Sequence, residues 1–178
     1  LSQDKPELAL VEHEKSAGSS KNKLLYLLDK AMLQRMSGSF TESNDTFEEA
    51  KELMDELNAT SVSEQTSAFL TNDSAMSYEG EDYEQIAVHL YAALNYIELD
   101  LWDEARVEAL QIDERLKKFA KKHDGKVTED AFSRYLTGLI YERGKEWSDA
   151  MIAYRKAYLA YQQQKQPIPD FLKHDLLR

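Results

Sequence analysis

The sequence predicts an all-α fold, built as a short right-handed solenoid of irregular helical hairpins with an inserted helix and a C-terminal helix. Three observations carry that prediction. Six Gly and three Pro in 178 residues, with hardly a β-branched run, leave little material for strands. Apolar residues recur at three- and four-residue spacing, the period of a helix face. One pattern also occurs two and a half times: an apolar helix, a short turn carrying a large hydrophobe, and a helix opening on a small residue. In the clearest copy, Tyr135, Gly138 and Tyr141 lead through Gly144 and Trp147 to Ala150, Tyr154 and Ala157. A second copy runs from Ala92, Ala93 and Tyr96 through Leu101 and Trp102 to Ala105, Ala109 and Ile112. Small residues at fixed offsets let two helices approach closely while aromatics fill the gaps beside them.

Taken in order, residues 3–15 read as a short polar helix and 16–20 as a Ser/Gly break, together an N-terminal segment over 1–20. The helical domain spans 21–166, with hairpins at about 21–57, 82–122 and 128–165 and an insertion at 58–81. In the first hairpin, Leu24, Leu25, Leu27, Leu28, Ala31, Met32 and Met36 make an apolar helix closed by Ser37 and Gly38. Ser39 with Glu42 forms a capping box for a helix that buries Phe47, Ala50, Met54 and Leu57. The insertion is Ser/Thr-rich, and Val62, Phe69 and Leu70 suggest a helix near 63–72, followed by a loop to Asp82.

The second hairpin contains the most apolar helix, because thirteen of the seventeen residues from Ile86 to Trp102 are apolar. Its partner aligns Ala105, Ala109, Ile112, Leu116 and Phe119 on one stripe. The third starts at Thr128, an N-cap with Glu129 and Asp130 in the first turn. Pro167 and Pro169 end the array, and Asp170 caps a tail helix over 167–178 that carries Phe171, Leu172, Leu176 and Leu177.

The net charge of −11 leaves no basic footprint, so nucleic acid is excluded as a partner. The acid concentrates in 42–64, with eight carboxylates against Lys51 alone, and reads as a solvated shell. Without cysteine there is no disulfide, thiolate nucleophile or Cys-based zinc site. No apolar stretch reaches a membrane-spanning length.

No nucleophile elbow, P-loop or dinucleotide fingerprint occurs. His13, His89, His123 and His174 show no metal spacing, so no metal and no cofactor is expected. Residues 73–84 have the length of a calcium loop, but Ala75 and Tyr78 stand where a ligand and the turn glycine are required. Arg115, Lys117, Lys118, Lys121, Lys122 and Lys126 close a long helix, where cations complement its dipole.

These hairpins resemble tetratricopeptide repeats, and more closely a family of poorly characterised bacterial envelope lipoproteins that contain such repeats. The resemblance rests on Leu24–Leu28 with Phe47–Ala50, on Tyr78–Glu84, on Ala93–Tyr96 with Ala105–Glu108, and on Phe132–Leu139. The distances from Ala31 to Ala93 and from Ala93 to Gly138 are 62 and 45 residues, against a tetratricopeptide period of about 34. The array is therefore irregular. The resemblance implies a periplasmic protein, anchored at the outer membrane through a lipidated cysteine upstream of Leu1, with no established reaction.

In such a hairpin the first helix lines the concave face. Aligning Ala105 with Ala150 puts Leu90, Leu94 and Ile97 on that face in the second hairpin and Phe132, Tyr135 and Leu139 in the third. Leu25, Leu28 and Met32 occupy it in the first. His89, Asn95, Arg106, Glu108 and Arg134 lie near this wall, and a loop bearing Tyr78 and Tyr83 is expected against the central hairpin. A wall this apolar calls for an occupant, either the chain's own inserted helix or tail, or a ligand. The expected function is a non-catalytic scaffold for a protein or peptide partner, compatible with a monomer. The alternatives are a carrier of a hydrophobic molecule or lipid and, last, a hydrolase.

Overall fold

The computed structural model describes residues 5–15, 22–64 (the backbone alone for 60–64), 78, 80–122 and 130–177. The protein is all-α, and the described residues form eight helices. These are α1 (Pro6–Lys15), α2 (Lys23–Met36), α3 (Phe40–Glu64), α4 (Asp82–Glu98), α5 (Trp102–Lys122), α6 (Ala131–Arg143), α7 (Trp147–Gln163) and α8 (Asp170–Asp175). Among the described residues no helix is long and apolar enough to cross a membrane. The chain divides into two compact units, Leu1–Val88 and His89–Arg178, so a boundary falls within α4 and inside the stretch expected to form a single repeat domain.

In the first unit, α2 packs between α1 and α3. Leu24, Leu27, Ala31, Phe47, Ala50 and Met54 are buried, and each large apolar side chain of this kind contributes about 1.5–3 kcal/mol on leaving water. The hairpin is also pinned by polar contacts. Ser43 Oγ donates to the Ala31 carbonyl (2.8 Å), and Thr46 Oγ1 donates to Gln34 Oε1 (2.7 Å). The α1 helix is anchored through His13, whose ring stacks on Tyr26 and whose Nε2 donates to the Tyr26 carbonyl (2.9 Å). The carboxylates of α3 from Glu42 to Glu56 lie on its exposed side, away from Phe47, Ala50 and Met54.

Several sequence boundaries require correction. Rather than ending at Leu57 before an insertion, α3 runs on to Glu64. The helix expected near 63–72 and most of its following loop lie outside the described residues. Tyr83 belongs to the first turn of α4 rather than to a loop. Asp130 caps α6, its side chain accepting from the Ser133 N–H, whereas Thr128 lies outside the described residues. Asp170 is the first residue of α8 and pairs with Lys173, so it does not cap that helix.

What repeats is the turn. Among the described residues, four helices end in a left-handed residue: Gly38 (φ 78), Asp100 (φ 58), Lys145 (φ 62) and Lys165 (φ 55). In each, the next residue reaches back five positions. The N–H groups of Ser39, Leu101, Glu146 and Gln166 donate to the carbonyls of Gln34, Tyr96, Tyr141 and Tyr161 at 2.8–3.0 Å. Each is a Schellman motif, which satisfies helix-end carbonyls that otherwise lack partners.

Counting from Ser39, Leu101 and Glu146 brings the three hairpins into register. Buried Ala31, Ala93 and Gly138 stand eight residues before these positions, and buried Ser43, Ala105 and Ala150 stand four after. Phe40, Trp102 and Trp147 follow them directly. The same turn thus places a small residue on either side of each helix crossing, although the hairpins differ in length.

In the second unit, Ala93, Ala105, Ala109, Leu136 and Ile140 form one core cluster, with Leu90, Leu94, Tyr96, Ile97 and Trp102 packed against it. Tyr141, Ala150, Tyr154, Ala157 and Leu172 form another. Leu172, on the tail helix, is wholly buried.

Candidate functional site

The expected groove residues divide between the interior, half-buried positions and the surface. Leu90, Leu94 and Ile97 are half-buried and pack onto the first of these clusters. His89 and Asn95 are buried in α4, as are Glu108 in α5 and Arg134 in α6. Tyr83, expected against the central hairpin, is 68% exposed. Tyr78 donates its hydroxyl to Glu84; burial first and then this hydrogen bond push its phenol pKa up. Phe132 and Leu139 remain exposed on α6.

Of the polar residues expected along the wall, His89 and Glu108 pair with each other, while Arg106 and Arg134 pair with carboxylates elsewhere. His89 Nδ1–H donates to Glu108 Oε2 at 2.7 Å, and both residues are only 4% exposed. A His–carboxylate pair is a familiar general-base arrangement, and this one is buried between α4 and α5. Arg106 grips both oxygens of Glu146, with Nη2 to Oε2 at 2.6 Å, and so ties α5 to the turn before α7. Glu146 is correspondingly held below the usual carboxylate range by the Arg106 hydrogen bonds.

Arg134, almost fully buried, donates to Asp113, which also receives Lys117 and, at 3.3 Å, Lys156. Burial alone raises the Asp113 pKa. The hydrogen bonds from Lys117 and Arg134 and the surrounding positive charge outweigh it and hold the carboxyl down at about 2. This junction joins α5, α6 and α7 and is structural.

The tail supplies part of the expected cover. Tyr135 lies with its ring 4.8 Å from that of Phe171 and 5.6 Å from that of Tyr154, and its hydroxyl donates to Asp175 Oδ2 at 2.9 Å. With Leu172 seated on Tyr154 and Ala157, α8 closes over the third hairpin.

Beside this closure a cavity remains. It encloses about 300 Å3 and is lined by Glu142, Trp147, Ala150, Met151, Tyr154 and Asp175. The Schellman turn after α6 sends the chain back so that the last turn of α6 presents Glu142 and the first turn of α7 presents Trp147, Ala150 and Met151. Tyr154 supplies one wall, and α8 brings in Asp175. Trp147 is 63% exposed.

Both carboxylates are oriented by tyrosines. Tyr154 Oη donates to Glu142 Oε2 at 2.6 Å, as Tyr135 does to Asp175. Burial, then the hydrogen bond to Glu142, push the Tyr154 phenol pKa up, so it remains a donor. The cavity combines an exposed indole, a thioether and two positioned carboxylates. Among the described residues no group of His, Asp and Glu is arranged to hold a metal.

Of this lining, Trp147, Ala150 and Tyr154 are legible in the sequence as marks of the repeat, though not as members of a site. Glu142 and Asp175 were missed because nothing in sequence shows that residues 33 positions apart converge. The one available signal was the bulky indole in a polar turn. The chain matches no family model, no curated protein and no solved structure.

Proposed function

We propose that the protein is a non-catalytic interaction module, built of tetratricopeptide-like hairpins, that captures a segment of a protein partner on its second unit. The observation that carries this reading is the cavity beside Trp147, where a large aromatic stands exposed over two oriented carboxylates. Exposed aromatics at the mouth of a small pocket are typical anchors for a partner side chain. The shared register around Ser39, Leu101 and Glu146 supports the repeat-like reading. Binding is preferred to hydrolysis because the His89–Glu108 pair is buried. It is also preferred to lipid carriage, because a 300 Å3 cavity with two carboxylates is a poor host for an acyl chain.

Panning a displayed peptide library on the protein tests the reading. Peptides should emerge whose binding weakens about ten-fold or more on Trp147→Ala, as expected of an anchor. A library that yields no Trp147-dependent binder overturns it. The resemblance extends the proposal to the bacterial envelope, with a tether through an upstream lipidated cysteine. The native precursor tests that extension: a signal peptide ending in such a cysteine supports it, and a cytoplasmic start overturns it.

A further inference from the structure

The three equivalent turns treat their aromatic residue differently. In the first hairpin the Arg35 guanidinium lies over the Phe40 ring, 5.7 Å from its centroid. In the second, Arg143 lies over Trp102 at 5.3 Å, and the indole Nε1–H donates to Asp100 Oδ1 at 2.6 Å. The fold thus twice places an aromatic face beneath a guanidinium and, at Trp102, an acid beside it. Trp147 occupies the same position after the third turn and is 63% exposed, at the edge of a cavity containing Glu142 and Asp175.

We infer that this cavity is a receptor for an organic cation, an alkylguanidinium or alkylammonium group, which rests on Trp147 and forms ion pairs with Glu142 and Asp175. The inference rests on the binding-module reading and names the chemistry it recognises.

Three physical arguments support it. An indole is the best aromatic partner for a cation, and the attraction grows when the cation is partly desolvated in a pocket. A carboxylate accepts several hydrogen bonds, so each can take a ligand N–H alongside its tyrosine donor. Asp175 is buried at the cavity wall, and a buried carboxylate gains strongly from an added cation. The volume fits the head of one side chain, and Met151 offers a soft apolar surface to its methylene stem.

The test uses the full chain carrying Trp102→Phe, so that Trp147 alone reports fluorescence. The probes are butylguanidinium, a short alanine-based peptide with a central arginine, and the same peptide with citrulline, a neutral isostere. The arginine peptide should change Trp147 emission saturably and bind at least about ten-fold more tightly than the citrulline peptide. Its binding should weaken in about 0.5 M salt. Glu142→Gln and Asp175→Asn should each weaken it about five-fold or more while leaving helicity intact, since each amide carbonyl still accepts from its tyrosine.

If butylguanidinium alone binds as tightly as the peptide, the cation is a free small molecule. If only the peptide binds, it is a partner's side chain. Equal binding of the arginine and citrulline peptides overturns the inference without requiring any variant at the two carboxylates. Trp147-dependent peptides that lack lysine and arginine, selected in the panning above, would also overturn it while leaving the module reading intact.

Discussion

Gly138 on α6 lies directly against the ring of Tyr154 on α7. A Cβ built on Gly138 would stand 2.4 Å from Tyr154 Cε1 and 2.5 Å from Cδ1. No flexible chain end is involved, because the ring is buried and held by Glu142 through its hydroxyl. The glycine is therefore set by the aromatic opposite it rather than by its own backbone angle. At the equivalent positions of the second hairpin both residues are small, and Ala93 and Ala109 belong to one core cluster.

Gly138→Ala should accordingly destabilise the protein by about 2 kcal/mol, as overpacked cores do. Thermal unfolding measures the loss. In a double-mutant cycle with Tyr154→Leu, the two costs should fall short of additive, because removing the ring relieves the clash. Full additivity would mean that the contact is not what excludes a methyl group.

Asp113→Asn removes the charge opposite Arg134, which is 1% exposed. Leaving that guanidinium buried without its carboxylate should cost about 3 kcal/mol. The pH dependence has a definite sign. The native Asp113 pKa of about 2 lies below the unfolded value of about 3.9, so its contribution is complete above the unfolded value and is lost as pH falls through the native one. Denaturant melts between about pH 4 and pH 2 should show a shallower acid loss in the variant than in the parent.

Lys145→Gly should stabilise the protein by about 1 kcal/mol. Lys145 has φ 62, where an L side chain is penalised and glycine is not. By contrast, Gly144 has φ −76 and is not the turn's left-handed residue. Chemical denaturation of Lys145→Gly, compared with Gly144→Ala, separates the two positions.

Leu172→Ala tests the tail as a cover. Leu172 is fully buried against Tyr154 and Ala157, and truncating such a residue costs about 2–5 kcal/mol where the whole fold depends on it. If α8 detaches independently, global stability should instead change little while a hydrophobic dye binds near Tyr135 and Tyr154. An unchanged melt with no dye binding would show that the tail adds no cover.

The helices and their close approaches are legible along the chain, apart from the end of α3 and the caps of α6 and α8. Ala31, Ala93 and Gly138, with Ala105 and Ala150, are legible because only small residues permit helices to cross so tightly. The apolar stripes of α3 and α5 follow from 3.6-residue periodicity, which is a local property of the chain. Which polar residues reach solvent, and with whom they pair, follows from how the helices pack. His89 joins Glu108 across a hairpin, Arg134 joins Asp113 from the adjoining helix, and Asp175 meets Glu142 across a cavity. Such pairings depend on the rotation and offset of helices distant in sequence, which spacing along the chain does not encode. The packing of Leu90, Leu94 and Ile97 onto one cluster, and of Leu172 onto the other, arises in three dimensions, driven by the removal of apolar surface from water.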